Sequence, residues 1–100
     1  MKRYHVRFVS RANLDLVEVY DYIYNMLENP TAANATVREI LDKCKSLSRF
    51  PMVGAVVTEV NSANVRVVHY KKYSIFYHVD GEVVIRRIIY SRRNIQDLLG

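Results

Sequence analysis

Between residues 12 and 47 the chain carries two stretches of helical periodicity, and a single dipeptide, Asn29-Pro30, divides them. Asparagine is a good helix N-cap. Proline at the first helical position loses only a donor that would have no partner anyway. One helix therefore has to end before Asn29 and a second has to start at Pro30. In the first, Ala12, Leu16, Val19, Ile23 and Leu27 recur at three or four positions, and Leu14, Tyr20 and Tyr24 widen the stripe. Ser10 is placed to cap it, and Asp15 and Glu18 are placed to favour its positive N-terminal end. In the second, the apolar line is Ala33, Val37, Ile40 or Leu41, Cys44 and Leu47, and Pro51 forces an end over residues 48–50. Helices joined by so short a turn run antiparallel and share one apolar face, which needs a sheet to cover.

The rest of the sequence supplies that sheet. Residues 4–9 alternate apolar and polar side chains, as a first strand does. Residues 55–60, 65–70, 73–79 and 82–90 are rich in β-branched and aromatic residues. Asp80-Gly81 predicts a tight two-residue hairpin turn, since both residues accept positive φ, and Lys71-Lys72 predicts another turn. Ser91 can cap a short C-terminal helix in which Ile95, Leu98 and Leu99 share a face. The expected fold class is α+β, one domain over residues 1–100: an N-terminal strand, an antiparallel helical hairpin packed on a mainly antiparallel sheet, and a short C-terminal helix.

Composition narrows the function classes. Half of the residues are hydrophobic, too many for intrinsic disorder. No apolar run approaches the ~18 residues that cross a bilayer, so no membrane partner is expected. The basic start, from Met1 to Arg7, enters no apolar stretch with a cleavage site, which points to a cytoplasmic protein. Cys44 is the only cysteine, so no internal disulfide forms, and His5, His69 and His78 lack the spacing of a metal cluster. Neither a metal nor a cofactor is expected.

Charge is more informative. Fifteen Lys and Arg against ten Asp and Glu leave +5, at a sequence pI of about 9.5. Residues 62–93 hold seven basic side chains (Arg66, Lys71, Lys72, Arg86, Arg87, Arg92, Arg93) against two acidic ones (Asp80, Glu82), a surplus equal to that of the whole chain. An acidic partner or a solvated basic face are the two readings. Strand parity puts Arg87 with Val83, Ile85 and Ile89, and Arg86 with Val84, Ile88 and Tyr90. Unless a bulge intervenes, one arginine then points into apolar surroundings, where it needs an anion: a ligand, or an internal carboxylate such as Glu59 or Glu82. Arg92 and Arg93 fall in the expected first turn of the last helix, where free N–H groups and two guanidinium groups suit a phosphate or carboxylate, if the pair is not simply solvated. Tyr70, Tyr73 and Tyr90 interleave with Arg66, Lys71, Lys72 and Arg87. That mixture serves packing, and it also suits stacked bases and held phosphates. His69 and His78 are the nearby groups suited to proton transfer at neutral pH, although lone strand histidines are mostly structural.

Taken in order, these stretches resemble the RelE/ParE superfamily of type II toxin-antitoxin toxins, of the plasmid-stabilisation type. The likeness runs through Ala12 to Ile23 (ANLDLVEVYDYI), Asn29 to Ala33 (NPTAA), Leu47 to Pro51 (LSRFP) with Gly54, Arg66, Tyr73 to Tyr77 (YSIFY) before Val79, and Val84 to Arg93 (VIRRIIYSRR). It implies a helical hairpin on a mainly antiparallel sheet. It also implies a growth-inhibiting toxin, neutralised by a cognate antitoxin that wraps over it in a hetero-oligomer.

Two targets follow from the two branches of that superfamily. A RelE-like toxin cuts mRNA in the ribosomal A site. That chemistry needs a base for the 2′-hydroxyl, an acid for the leaving oxygen and cations for the phosphorane-like charge. Arg66, Arg87 and Tyr90 would carry it here, with Lys71, Lys72, Arg86, Arg92 and Arg93 binding the target. A ParE-like toxin poisons DNA gyrase and is not a nuclease. The run after Arg93 holds no Tyr or His where the nuclease branch tends to carry one, and the long first helix and NPTAA junction look more ParE-like, so gyrase is the expected target. Tyr90 stands where that branch often has His. A non-toxic interaction module is a further alternative. The antitoxin, expected to be acidic, would dock on the helical-hairpin groove and on Leu98 and Leu99.

Overall fold

The structure, a computed structural model, describes residues 3–91. Its elements run β1 (Val6–Phe8), α1 (Ser10–Leu27), α2 (Pro30–Ser46), β2 (Ala55–Val60), β3 (Ala63–Tyr70), β4 (Tyr73–Val79) and β5 (Val83–Tyr90). Among the described residues the strands form one sheet in the order β1-β5-β4-β3-β2. Every pairing is antiparallel except that of β1 with β5, which aligns Val6 with Val83 and Phe8 with Ile85. This is the expected α+β architecture. The predicted C-terminal helix, with Ile95, Leu98 and Leu99, lies outside the described residues.

Asn29 caps α2 as its sequence context requires: its side-chain oxygen accepts from the Ala32 amide at 3.1 Å, and Pro30 takes the first helical position. Glu28 closes α1 in the left-handed region, at φ 49°, donating its amide to the Tyr24 carbonyl at 2.7 Å. The reversal between the helices thus takes two residues. One face of the hairpin, from Ala12, Val19, Ile40, Cys44 and Leu47, packs on Val68, Ile75, Tyr77, Val83, Ile85 and Ile88 of the sheet. Each fully buried Ile or Leu there contributes about 1.5–3 kcal/mol. On the sheet's open face a smaller cluster gathers Val65, Phe76 and Ile89 with Val60 and Val67.

Several local expectations are corrected. The N-cap of α1 is Val9, in extended conformation, so Ser10 is the first helical residue and makes no cap. Asp15 and Glu18 consequently sit beyond the first turn, where the helix dipole no longer acts strongly. Leu14, Tyr24 and Leu27, expected to widen the apolar stripe, are about half exposed or more. The first strand covers Val6–Phe8 rather than residues 4–9, and β3 starts at Ala63, two residues earlier than expected. Lys71 and Lys72 do form the β3–β4 turn, with Lys71 at φ 51°. Asp80-Gly81 turns the chain, but β5 begins at Val83, so the connection has three residues; Gly81 takes φ +66° and the Asp80 amide donates to the Glu82 carbonyl at 2.9 Å. Asn61 and Ser62, both at positive φ, make the two-residue β2–β3 turn that the sequence reading passed over.

Candidate functional site

The two adjacent arginines of β5 are placed by a break in strand register. Tyr77 faces Ile85 across the sheet while Phe76 faces Arg87, so Arg86 is an extra residue without a partner on β4. Ile85 and Ile88 consequently both face the helices, and Arg86 and Arg87 both emerge on the open face. The parity conflict disappears, because the bulge puts Arg86 and Arg87 on the same face of β5.

Arg87 nevertheless has an internal counterion. Its Nε donates to Oδ2 of Asp15 at 2.9 Å and its Nη2 to Oδ1 at 3.3 Å. The partner is neither Glu59 nor Glu82, the two acids that the sequence suggested: Glu82 pairs with Arg7 at 3.1 Å. Asp15 takes the role because β1 ends at Phe8, leaving the edge of β5 open beyond Ile85, and α1 lies against it. There Oδ2 also accepts from the Ile88 amide at 2.9 Å, standing in for a strand neighbour. Arg11 approaches Oδ1 at 3.4 Å and reaches on to Glu18.

Arg66 serves a different part of the molecule. It faces Tyr77 on β4, and its Nη1 donates to the carbonyls of Met52 at 3.2 Å and Gly54 at 2.8 Å. The Tyr77 hydroxyl donates to the Pro51 carbonyl at 2.7 Å and accepts from the Gly54 amide at 2.9 Å. Together they hold the α2–β2 loop by its backbone. Burial pushes the Tyr77 phenol above its usual pKa, so it stays protonated and keeps this geometry. A side chain at Gly54 would meet both the Tyr77 hydroxyl and the Val67 carbonyl at 2.7 Å, which accounts for glycine there.

Tyr90 faces Tyr73 in register, and the rings meet edge to face with centroids 5.8 Å apart. Both line a cavity of about 190 Å³ between α1 and the sheet, with Glu18, Val19 and Tyr22 on the helix side. Burial, then the neighbouring Tyr90, pushes the Tyr73 phenol up. Lys71 lies 3.5 Å from Glu39 and over the Tyr70 ring, whose hydroxyl donates to the same carboxylate at 2.5 Å. That hydrogen bond, followed by the charge of Lys71, holds the Glu39 carboxyl below its ordinary range. Lys72 is exposed beside it. Arg92, Arg93, Leu98 and Leu99 lie outside the described residues.

The open face also carries both strand histidines. Nδ1 of His78 lies 3.4 Å from Nη1 of Arg86, and burial together with that cation pushes the imidazole below its ordinary pKa, keeping it neutral and able to accept. His69 contacts the buried Ser74 hydroxyl at 3.1 Å, and Ser74 contacts Ser91 at 3.0 Å. Arg66, Arg87 and Tyr90 thus serve separate contacts: Arg66 grips a loop, Arg87 grips Asp15 of α1, and Tyr90 meets Tyr73 edge to face in a cavity that Asp15 also lines. Sequence reasoning missed Asp15, whose contact with Arg87 spans 72 residues. An acid placed among the apolar positions of α1 was the available signal. Among the described residues no group of His, Cys, Asp or Glu could hold a metal ion, and no helix is long and apolar enough to cross a membrane.

Comparison with known proteins gives a consistent picture. The family model described as the ParE toxin of the type II toxin-antitoxin system, parDE, matches residues 6–95. Among solved structures, the chain is similar to one of a chromosomal ParDE toxin-antitoxin system from P. aeruginosa, at 26% identity and a TM-score of 0.70, covering 88% of this chain and 96% of that one. A chain of the RelBE2 toxin-antitoxin complex from Mycobacterium tuberculosis shares the fold, at 23% identity and a TM-score of 0.63, covering 90% of this chain and 93% of that one. No curated protein matches.

Proposed function

The chain belongs to the ParE toxin family of type II toxin-antitoxin systems, and from that membership we propose that it arrests growth by engaging DNA gyrase and is held in check by a cognate acidic antitoxin. The similar P. aeruginosa and M. tuberculosis structures come from toxin-antitoxin systems, which supports the antitoxin partner. The basic balance of the chain supports its acidic character.

The engagement of Arg87 by Asp15 carries the choice of target. Cutting RNA by general acid-base catalysis requires a base, an acid and a cation within reach of one phosphate. Here the guanidinium that would hold the phosphate is bound by a carboxylate in two places, and the arginine and tyrosine expected to assist it serve separate contacts. A surface that binds a protein target needs no such convergence.

Induced expression with two readouts tests this reading. Relaxed plasmids and DNA breaks with intact mRNA are the expected result, and purified protein should inhibit supercoiling by gyrase. Codon-phased mRNA cuts that depend on translating ribosomes would overturn it in favour of an endonuclease using Arg66, Arg87 and Tyr90. Harmless high-level expression without any antitoxin would point instead to a non-toxic interaction module.

A further inference from the structure

The end of α2 and the entry to β1 form the walls of an open groove of about 590 Å³, far along the chain from the arginines of β5. The Tyr4 amide donates to the Ser48 carbonyl at 2.8 Å and ties the two walls together. Arg3, His5, Lys45, Arg49 and Phe50 line the groove, and no acidic side chain does. None of Arg3, Lys45 and Arg49 forms an ion pair with a described residue. The C-terminal dipole of α2 offers about half a negative charge, too little to neutralise three cations.

At one end the groove runs into the α2–β2 loop, where Phe50, Met52 and Val53 are 60%, 56% and 67% exposed. Large apolar side chains on a slack loop would turn inward. These cannot, because Tyr77 and Arg66 hold the backbone at Pro51, Met52 and Gly54 by four hydrogen bonds. A partner docking there orders little of the loop, so most of the contact energy is kept as affinity.

We propose that this groove and loop dock an acidic peptide segment with a large apolar anchor: carboxylates over Arg3, Lys45 and Arg49, and the anchor against Phe50, Met52 and Val53. The segment belongs to the neutralising antitoxin, an assignment that rests on the toxin reading above. The groove carries rings at Tyr4, His5 and Phe50, but the surface continues into Met52 and Val53, which suit the apolar anchor of a peptide and give a base nothing to stack on, so a peptide is favoured over a nucleic acid.

The test titrates the full chain with its purified cognate antitoxin, sought as a short acidic protein encoded beside it, and separately with a single-stranded RNA dodecamer. The variants are the charge reversal R3E/K45E/R49E and, separately, Phe50→Ser. All four positions are solvent-exposed, and unchanged thermal unfolding confirms that each variant folds. The charge reversal should weaken antitoxin binding by about tenfold or more in dilute salt, and by much less at about 0.5 M, where charges are screened. Phe50→Ser should weaken it by about tenfold at both salt levels, as loss of a packed anchor does. Antitoxin affinities within twofold of the parent chain for both variants would overturn the site while leaving the toxin reading intact. RNA binding lost in the charge reversal, with antitoxin binding unchanged, would reassign the groove to nucleic acid. No antitoxin binding by the unaltered chain would overturn the toxin reading and this site with it.

Discussion

Arg87 and Asp15 meet through two hydrogen bonds, at 2.9 and 3.3 Å, with only 13% and 2% of their side chains exposed, and the same carboxylate receives the Ile88 amide of β5. The pair therefore joins α1 to the strand at the centre of the antiparallel and parallel halves of the sheet. It replaces the backbone partner that β1 stops providing after Phe8.

Removing one member should cost far more than an exposed ion pair is worth. Asp15→Ala leaves Arg87 and the Ile88 amide without their acceptor, and urea unfolding should register a loss of about 3–5 kcal/mol. Asp15→Asn, which keeps an acceptor for the amide, should lose less. In the double variant Asp15→Ala with Arg87→Met the uncompensated cation is gone, so stability should recover part of the loss. If the two single changes simply add, the pair is not coupled.

Tyr77→Phe keeps the packing of the ring but strands the Gly54 amide and the Pro51 carbonyl. The expected cost is about 1–3 kcal/mol, with faster hydrogen exchange at Gly54 as the local signature. Gly54→Ala should cost a similar ~1–3 kcal/mol by overpacking, because the Val67 carbonyl that its Cβ meets is backbone and cannot swing away. Unchanged exchange at residue 54 in Tyr77→Phe would show that the hydroxyl does not hold the loop.

The Glu39 carboxyl should titrate below an ordinary glutamate, and Tyr70→Phe should bring it back up, since the Tyr70 hydrogen bond is the largest cause of the depression. A carboxyl lowered in the folded state contributes stability above its unfolded pKa and loses it as pH falls through the folded one. Its share is therefore lost only in acid. Side-chain carbon shifts followed by NMR across the acid range measure both points, and an unaltered titration in Tyr70→Phe would contradict the assignment.

Cys44 is buried in the core, and burial pushes its thiol from 9.0 to about 12. The folded protein should resist alkylation at pH 8, and reaction should follow unfolding. The folded pKa is raised, so the stability contribution is complete below the unfolded thiol's pKa and declines as pH rises through 9.0 toward about 12. A Cys44→Ala variant should lose that alkaline component of the pH profile. Rapid labelling under native conditions would show that the helix interface opens.

Local chemistry made much of this legible. Asn29-Pro30 marks a helix start through its own side-chain oxygen and ring, and Lys71-Lys72 is set off by the β-rich runs on either side. The Arg86 bulge is a relation between two strands. Period-two counting along β5 sees only one of them, and so it set the arginines on opposite faces. Asp15 reads from the sequence as a helix-dipole residue for the same reason: its actual partner is remote in the chain and is brought near only where β1 ends. Asn61-Ser62 carries no comparable signal, because positive φ at serine has no strong signature, unlike Asp80-Gly81. The candidate nuclease residues share a segment of sequence, but their side chains are taken up by different partners: the α2–β2 loop for Arg66, Asp15 for Arg87 and Tyr73 for Tyr90.

The parallel pairing of β1 with β5 also governs when the molecule comes into being. A ribosome releases β1 first, yet among the described residues its one strand partner is β5, the last of the described strands, with Val6 waiting for Val83. Until β5 emerges, α1 has no Ile88 amide for Asp15 and no Arg87 to hold, and the hairpin has lost Val83, Ile85 and Ile88 from the surface beneath it. Non-local contacts of this kind make folding wait on completion of the chain. A cell translating this message therefore carries unfinished copies without a finished fold, and a stalled or truncated product that stops short of β5 should be a substrate for proteolysis instead of a hazard.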